Sequence, residues 1–444
     1  MKKTFLELCQ NALGFHTGDE AEILLIHTRN NLTRFAQNHI HQNMGEENTT
    51  VQWRIIKDAR EGSYTTNRLD DEGMKRAAQA ALEIALTQPK AASFPGLAPG
   101  KRPVICENAS PATETCSPVK RASLVKKIIQ LTKEYNAVAS GALCTQSTVI
   151  VVANTSGIRA SQHITRAFLN FVPYRGDLSG YTYWTGRNID DLPLMELSRE
   201  ALEKTAYTAK PVALEPGVYP VVLSPYAAQN MISLLSSIGF GAKSYLEKRS
   251  FMANLIGKKI ASKKVTIFDD GNDPAGIPMY FDYEGIPKKK VYFIKNGVAS
   301  SVVHDSRTAA LAGVKSTGHA LPHPNHFGPF AMNLIMKQGN VPEQKLIEPI
   351  ERGLYITKFH YMNVVEPIAT VMTGMTKDGT FLIERGKITS PVRNLRFTQN
   401  ILEALNNVEE LSRERRCKGD YGTVTAPALR IKAFHFTGVS DIEK

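Results

Sequence analysis

The chain has 444 residues, 42% of them hydrophobic and 22% charged, which excludes a disordered protein and supplies more than one core, since a single core rarely grows past about 250–300 residues. No uncharged apolar run reaches the roughly 18 residues that a membrane-spanning helix needs. A net charge of +12 raises nucleic acid as a partner, but the basic groups at 243–264 and 288–290 sit inside folded patterns, so solvated faces are expected and a nucleic-acid surface is not.

Lys2 and Lys3 open the chain as a signal peptide would, yet Glu7, Gln10 and Asn11 interrupt any apolar core of one, and Phe5, Leu6, Cys9 and Leu13 trace a helical stripe instead. The five cysteines contain no Cys-x-x-Cys pair and fit reduced thiols, so a cytoplasmic protein is expected. Three strands are expected at 21–28, 32–41 and 51–57. A helix follows, capped by Asp70 or Asp71, with Met74, Ala77, Ala78, Ala81, Leu82 and Leu86 on its apolar face. Six prolines between Pro89 and Pro118 each fix φ and remove a donor, predicting an extended surface connection.

Beyond it the pattern returns: a helix over 119–135, strands near 137–144, 148–153, 157–171 and 180–185, and a helix over 190–209. The repeated order points to an internal duplication. Pro211 and Pro216 mark a boundary, after which a strand at 219–223 and a helix at 227–238 lead into mostly antiparallel β. Asn296-Gly297 and Arg385-Gly386 each separate two extended runs and predict tight hairpins. The fold class is therefore α+β. The N-terminal part, 1–211, comprises two similar helix and strand units at about 1–88 and 118–211; the C-terminal part, 212–444, is mainly antiparallel β-sheet with a helix.

Gly239, Gly241, Lys243 and Ser244 suggest a phosphate loop, but Ala242 and Ser237 stand where that loop needs glycine. Asp269, Asp270 and Asp273 suggest calcium, but Pro274 and Tyr280 occupy the glycine and glutamate positions of the ligating loop. His319, His323 and His326 have spacings that would converge on one helix face and bind zinc, yet Pro322 and Pro324 oppose the helix, and a proline-rich loop carrying polar rings at a groove rim is the preferred reading. Asp282 and Glu284 are either a carboxylate pair on one strand face or a strand end with a tight turn at Gly285.

From Gly217 onward the chain resembles the TldD/PmbA family. The matching blocks are Tyr219 to Leu223, Ala227-Ala228, Lys248 to Ser250, Gly257 to Ser262, Phe268 to Asp270, Phe281 to Gly285, Asn296 to Val298, Asp305 to Ala309, Ser316 to Gly318 and Ala426 to Ile431, with Gly62 to Gly73 resembling the family's first domain. The family is a bacterial cytoplasmic protease system pairing a TldD-type chain with a PmbA (TldE)-type chain and acting on peptides; an older label is modulator of DNA gyrase. TldD-type chains carry His-Glu-x-x-x-His on the helix after the Val-Val-Leu strand, with a cysteine near the C-terminus completing a zinc site.

Here the helix region from Ala227 to Gly241 holds no histidine, glutamate or aspartate, and Cys417 has no partner ligands in the sequence pattern. The resemblance therefore implies a PmbA/TldE-like, non-catalytic subunit without cofactor, with zinc expected only in a TldD-like partner. It implies a heterodimer with that partner, or a homodimer, whose groove takes an unfolded peptide. Asp282, Glu284, Thr317, His319, His323 and His326 are the substrate-binding candidates. The alternative is a stand-alone binding or regulatory protein, a nucleic-acid or topoisomerase modulator, without peptidase activity.

Overall fold

The computed structural model describes residues 2–91, 95–419 and 422–439. Part of the proline-rich connection (92–94) and the last residues of the C-terminal part (440–444) lie outside the described residues. The N-terminal part runs α1 (Lys2–Ala12), β1 (Glu20–Ala36), β2 (His39–Lys57), β3 (Arg60–Thr66), α2 (Asp71–Thr87), β4 (Val104–Asn108), α3 (Pro111–Glu114), α4 (Pro118–Glu134), β5 (Val138–Asn154), β6 (Arg159–Arg175), β7 (Leu178–Ser179), β8 (Thr182–Gly186) and α5 (Leu194–Glu203).

The order α1-β1-β2-β3-α2 returns as α4-β5-β6-β8-α5, with the two-residue β7 inserted before β8, and the strands lie side by side as β3-β2-β1-β5-β6 with β8 on the far edge of β6. The β1–β5 pair is thus the centre of a near-symmetric sheet, so the two units share one sheet. Odd-numbered residues of its long strands face the helices: Ile23, Leu25, Trp53, Ile55, Val149 and Val151 pack with α1 and α2, and Phe35, Leu143, Leu169 and Phe171 with α4 and α5.

Two sequence expectations are corrected. The strands expected at 21–28 and 32–41 are one strand, β1, as those expected at 137–144 and 148–153 are one strand, β5, and after β1 the chain reverses at Gln37 and Asn38, both in the left-handed region (φ 48° and 61°). The polar run Arg29 to Asn31 conceals the continuity, because at that point β1 is paired on both sides without both faces being apolar. The proline-rich connection is not wholly extended surface chain. It contains α3 and β4, the latter paired in parallel with β6, an edge position where prolines outside the strand do no harm.

Helix α2 begins where its cap predicts: Gly73 N–H donates to Asp70 Oδ1 at 2.6 Å. Leu86, however, is exposed at its end.

The C-terminal part runs β9 (Gly217–Leu223), α6 (Pro225–Gly239), α7 (Ala242–Leu246), β10 (Ile267–Asp269), β11 (Val291–Lys295), β12 (Val298–Ala299), α8 (Ser306–Ala312), β13 (Asn333–Met336), β14 (Arg352–Glu366), β15 (Val371–Glu384), β16 (Lys387–Pro391), β17 (Leu395–Asn400), α9 (Ile401–Asn406), β18 (Val408–Gly419) and β19 (Thr423–Val439). Both predicted hairpins form, with φ of 50° and 82° at Asn296 and Gly297, and 50° and 73° at Arg385 and Gly386.

Pairing in the order β9-β14-β15-β17-β19, with β19 returning to β9, closes a small barrel. Helix α6 packs against its β14 and β19 walls, burying Ala227, Ala228, Met231, Ile232 and Leu235 in the main core. A further cluster, with Leu24, Ile150, Val152 and Ala160 from the N-terminal sheet and Met279 and Phe281 from the C-terminal part, joins the two.

Candidate functional site: the helix cavity and the ion cluster between the two parts

Two of the concave places that gather polar side chains lie in or against the C-terminal part. One, about 490 Å³, lies along α6. Ser224 caps this helix by accepting from Tyr226 N–H (3.2 Å), and Pro225 at the first turn needs no donor partner. With one face of α6 buried, the helical period presents Gln229, Asn230, Ser233 and Ser237 to the cavity.

Facing them, β14 supplies Lys358, His360 and Tyr361, and the start of β19 supplies Thr423. Tyr361 has φ 48° within a register shift between His360 and Asn363, which turns its ring outward to 69% exposure at the mouth. Lys358 pairs with Asp378 (2.7 Å) and lies 4.1 Å over the Tyr181 ring. Burial, and then the charges of Lys377 and Lys358, hold His360 below its ordinary value, so its ring is neutral at pH 7.

Gln229 is almost fully buried and donates from Nε2 to the Arg416 carbonyl at 2.6 Å, while its Oε1, like the Ser236 hydroxyl, has no partner among the described residues. Such groups suit a ligand that brings hydrogen-bond donors and acceptors. They do not suit zinc. Amides and hydroxyls dominate the lining, His360 is its one imidazole among the described residues, and no carboxylate belongs to it. Burial pushes the Cys417 thiol up to about 11, leaving it protonated next to Thr425 and Thr423. The described residues contain no group of three His, Cys, Asp or Glu side chains able to hold a metal.

The second place is a cavity of about 50 Å³ between the two parts. Arg54 of β2 is its hub: it bonds Glu61 of β3 (3.0 Å), Glu22 of β1 (3.4 Å) and, more distantly, Glu284 (3.8 Å). Glu61 also meets His323 (3.0 Å) and Arg307. Burial works to raise the Glu61 carboxyl, but the His323 hydrogen bond and the Arg54 and Arg307 charges win and hold it at about 2. For Glu22, burial dominates and pushes it up to about 7, with Arg54 opposing and Glu284 adding to the rise.

The six candidates from the sequence do not form one site. Glu284 and His323 line the small cavity. Asp282 is buried and anchors the turn at Gly285, accepting from the N–H groups of Glu284 (3.0 Å), Ile286 (2.9 Å) and Ala320 (2.9 Å), so the tight-turn reading holds. Thr317 accepts the His304 N–H (2.7 Å) and touches His319 Nδ1 (3.0 Å).

His319 is not on a rim: it is fully buried, with Nε2 2.9 Å from Asp269 Oδ1, beside Lys288. His326 is exposed and contributes its carbonyl to Lys243 Nζ (2.6 Å). The residues that sequence reasoning missed are Glu22, Arg54 and Glu61. Arg54 carries a local signal, a cation between the buried Trp53 and Ile55, but its partners come from distant strands.

Residues 216–438 match the family profile described as PmbA/TldA metallopeptidase C-terminal domain, and residues 21–85 that of PmbA/TldA metallopeptidase domain 1. The chain belongs to the PmbA/TldD family. Among PmbA/TldD proteins, the metalloprotease TldD homolog of Buchnera aphidicola (subsp. Acyrthosiphon pisum) is 30% identical over 204 residues, 43% of this chain and 40% of that protein. Metalloprotease PmbA of Escherichia coli O157:H7 is 25% identical over 392 residues, 84% of this chain and 83% of PmbA. The match thus spans about two-fifths of the length of that TldD homolog and most of PmbA.

The structure of TldE from Thermococcus kodakarensis superposes with a TM-score of 0.85 at 22% identity, covering 98% of this chain and 100% of that one. A Thermotoga maritima structure described as a candidate modulator of a DNA gyrase gives 0.86 at 21%, with the same coverage. The PmbA/TldD fold therefore spans both parts of the chain.

Proposed function

We propose that the chain is a PmbA/TldE-like, non-catalytic subunit that pairs with a TldD-like metalloprotease and offers a groove to an unfolded peptide. The observation that carries this reading is the α6 face. Where TldD-type relatives are expected to bear His-Glu-x-x-x-His, this helix turns Gln229, Asn230, Ser233 and Ser237 to its cavity. Those side chains can pair with a peptide backbone but cannot hold zinc or deprotonate a zinc-bound water. The buried Gln229 Oε1, without a partner among the described residues, favours a ligand rich in N–H groups, which an extended peptide is.

Metal analysis of the purified chain, and of the complex recovered from its native cell, tests the proposal. Zinc near one equivalent should accompany the partner and be absent from this chain alone. One tightly held zinc per isolated chain, or peptide hydrolysis by it, overturns the reading. A stand-alone nucleic-acid role predicts DNA binding with a steep salt dependence.

A further inference from the structure

The even-numbered face of the N-terminal sheet changes character along its length. At one end Leu24, Ile150, Val152 and Ala160 are covered by Met279 and Phe281. At the other, the same face of β1, β5 and β6 becomes the floor of a cavity of about 680 Å³. Strand register sets its side chains in rows: Asn30, Gln146 and Arg166 lie opposite one another, then Leu32, Cys144 and Phe168, then Arg34, Ala142 and Asn170.

Arg166 is built into this floor. Its guanidinium lies 5.5 Å from the Phe168 ring centre; that ring stacks on Tyr183 (5.9 Å, 7°), and Tyr183 Oη donates to the Gly419 carbonyl at 3.1 Å. The fork is thereby aimed, yet Nε is sealed from solvent with no hydrogen-bond partner among the described residues, as is Asn170 Oδ1. Glu46, the one carboxylate lining this cavity among the described residues, stands three strands away in the same row, about 14 Å at about 4.8 Å per strand.

Gln146 and Arg166 also line an adjoining cavity of about 320 Å³, which shares Gly422 and Thr423 with the α6 cavity. The three cavities are thus neighbours linked by shared wall residues.

We propose that Arg166 is a carboxylate-recognition residue, selecting extended peptides that carry an acidic side chain or a free C-terminal carboxylate on this sheet face, with the Asn30 and Gln146 amides pairing to their backbone. This rests on the peptide-binding reading above and names the chemistry that the groove selects. A guanidinium held beside a ring, here 5.5 Å from its centre, presents a two-pronged donor that matches a carboxylate, and partial burial strengthens the pair. Strands β1 and β5 are paired along both edges over this stretch, and β8 covers the outer edge of β6 from Ala167 to Phe171, so the ligand lies across the face and meets side chains instead of adding a strand.

Fluorescence anisotropy on the full chain, and on the co-purified complex, decides the matter with short labelled peptides that differ only in a central Glu or Gln and in a free or amidated C-terminus. A carboxylate-bearing probe should bind about tenfold more tightly than the neutral one. The Glu-amide and Gln-acid probes separate side-chain from terminal recognition. Arg166→Gln should erase the preference, bringing carboxylate-bearing and neutral probes to the same affinity, and Gln146→Glu, which sets a carboxylate opposite Arg166, should erase it too in a chain whose arginine packing is intact. Equal binding of all four probes by the native protein, or a preference that survives both substitutions, overturns the Arg166 assignment while the peptide reading stands. Failure of every probe to bind either the chain or the complex overturns both.

Discussion

His319 and His326 lie seven positions apart and differ in every physical respect. Asp269 next to His319 is held at about 2: burial pushes its carboxyl up, but Lys288, His319 and the Asn333 N–H more than reverse this. Replacing His319 with alanine leaves a buried charge short of a partner and should cost about 3 kcal/mol in chemical denaturation. His326→Ala should stay within about 0.5 kcal/mol, as surface changes do. The two rings were expected to share a rim, and the comparison of their unfolding midpoints measures how far apart the fold has set them.

Glu22 gives a pH signature. Its carboxyl is pushed up to about 7 by burial against an ordinary 4.5, so the folded chain binds that proton more tightly than the unfolded one. The stability it contributes is complete below about 4.5 and is lost as pH rises through about 7. Glu61, held at about 2, acts in the opposite sense and only below 4.5, so the two windows do not overlap. Wild type should lose up to about 3 kcal/mol between pH 4.5 and 7 relative to Glu22→Gln. Urea titrations of both proteins across that interval test this, and parallel profiles would remove Glu22 from the account.

Among the elements, β3 meets α2 backbone to backbone at Gly62. A Cβ on Gly62 would come within 2.1 Å of the Ala81 carbonyl oxygen and 2.3 Å of the Ala85 nitrogen. Gly62→Ala must therefore push helix from strand, and overpacking of this kind costs about 1–3 kcal/mol or more. Asp70→Ala, which removes the α2 cap and an exposed ion pair with Arg68, should cost about 1 kcal/mol. Thermal unfolding of the two variants orders them, and a Gly62→Ala protein as stable as wild type would mean that the helix can slide.

Capped helices and glycine-containing hairpins were legible in the sequence because their signals are local: Asp70 before α2 and Asn296-Gly297 between β11 and β12. Strand length was not, since β1 continues through polar residues that are satisfied by neighbours on both sides.

For the whole molecule, the exposed apolar residues at the end of β14 bear on assembly. Tyr361, Val365 and Ile368 are 69%, 57% and 50% exposed on one hairpin, beside the mouth of the α6 cavity. A patch of this kind is what a subunit interface covers. If the proposed pairing uses it, light scattering of the native complex should give a dimer, and Ile368→Glu should return the 49.0 kDa monomer without altering the fold by circular dichroism. A monomer in the wild type, with no partner recovered from the cell, would count against the pairing.

The sequence by itself determined the class of fold, the repeated helix and strand order, the turns, and the lack of zinc ligands on α6, because each depends on residues within a few positions of one another. It also carried the family resemblance, spread over short blocks whose order survives low identity. Only the tertiary structure decided which charges meet. Arg54, Glu22, Glu61, Glu284, Arg307 and His323 come from both parts of the chain, and Arg166 acquires its orientation from Phe168 and Tyr183 across a sheet. Burial and partner distance set the charge state of a titratable group, and both are properties of chain segments brought together, which no local pattern encodes.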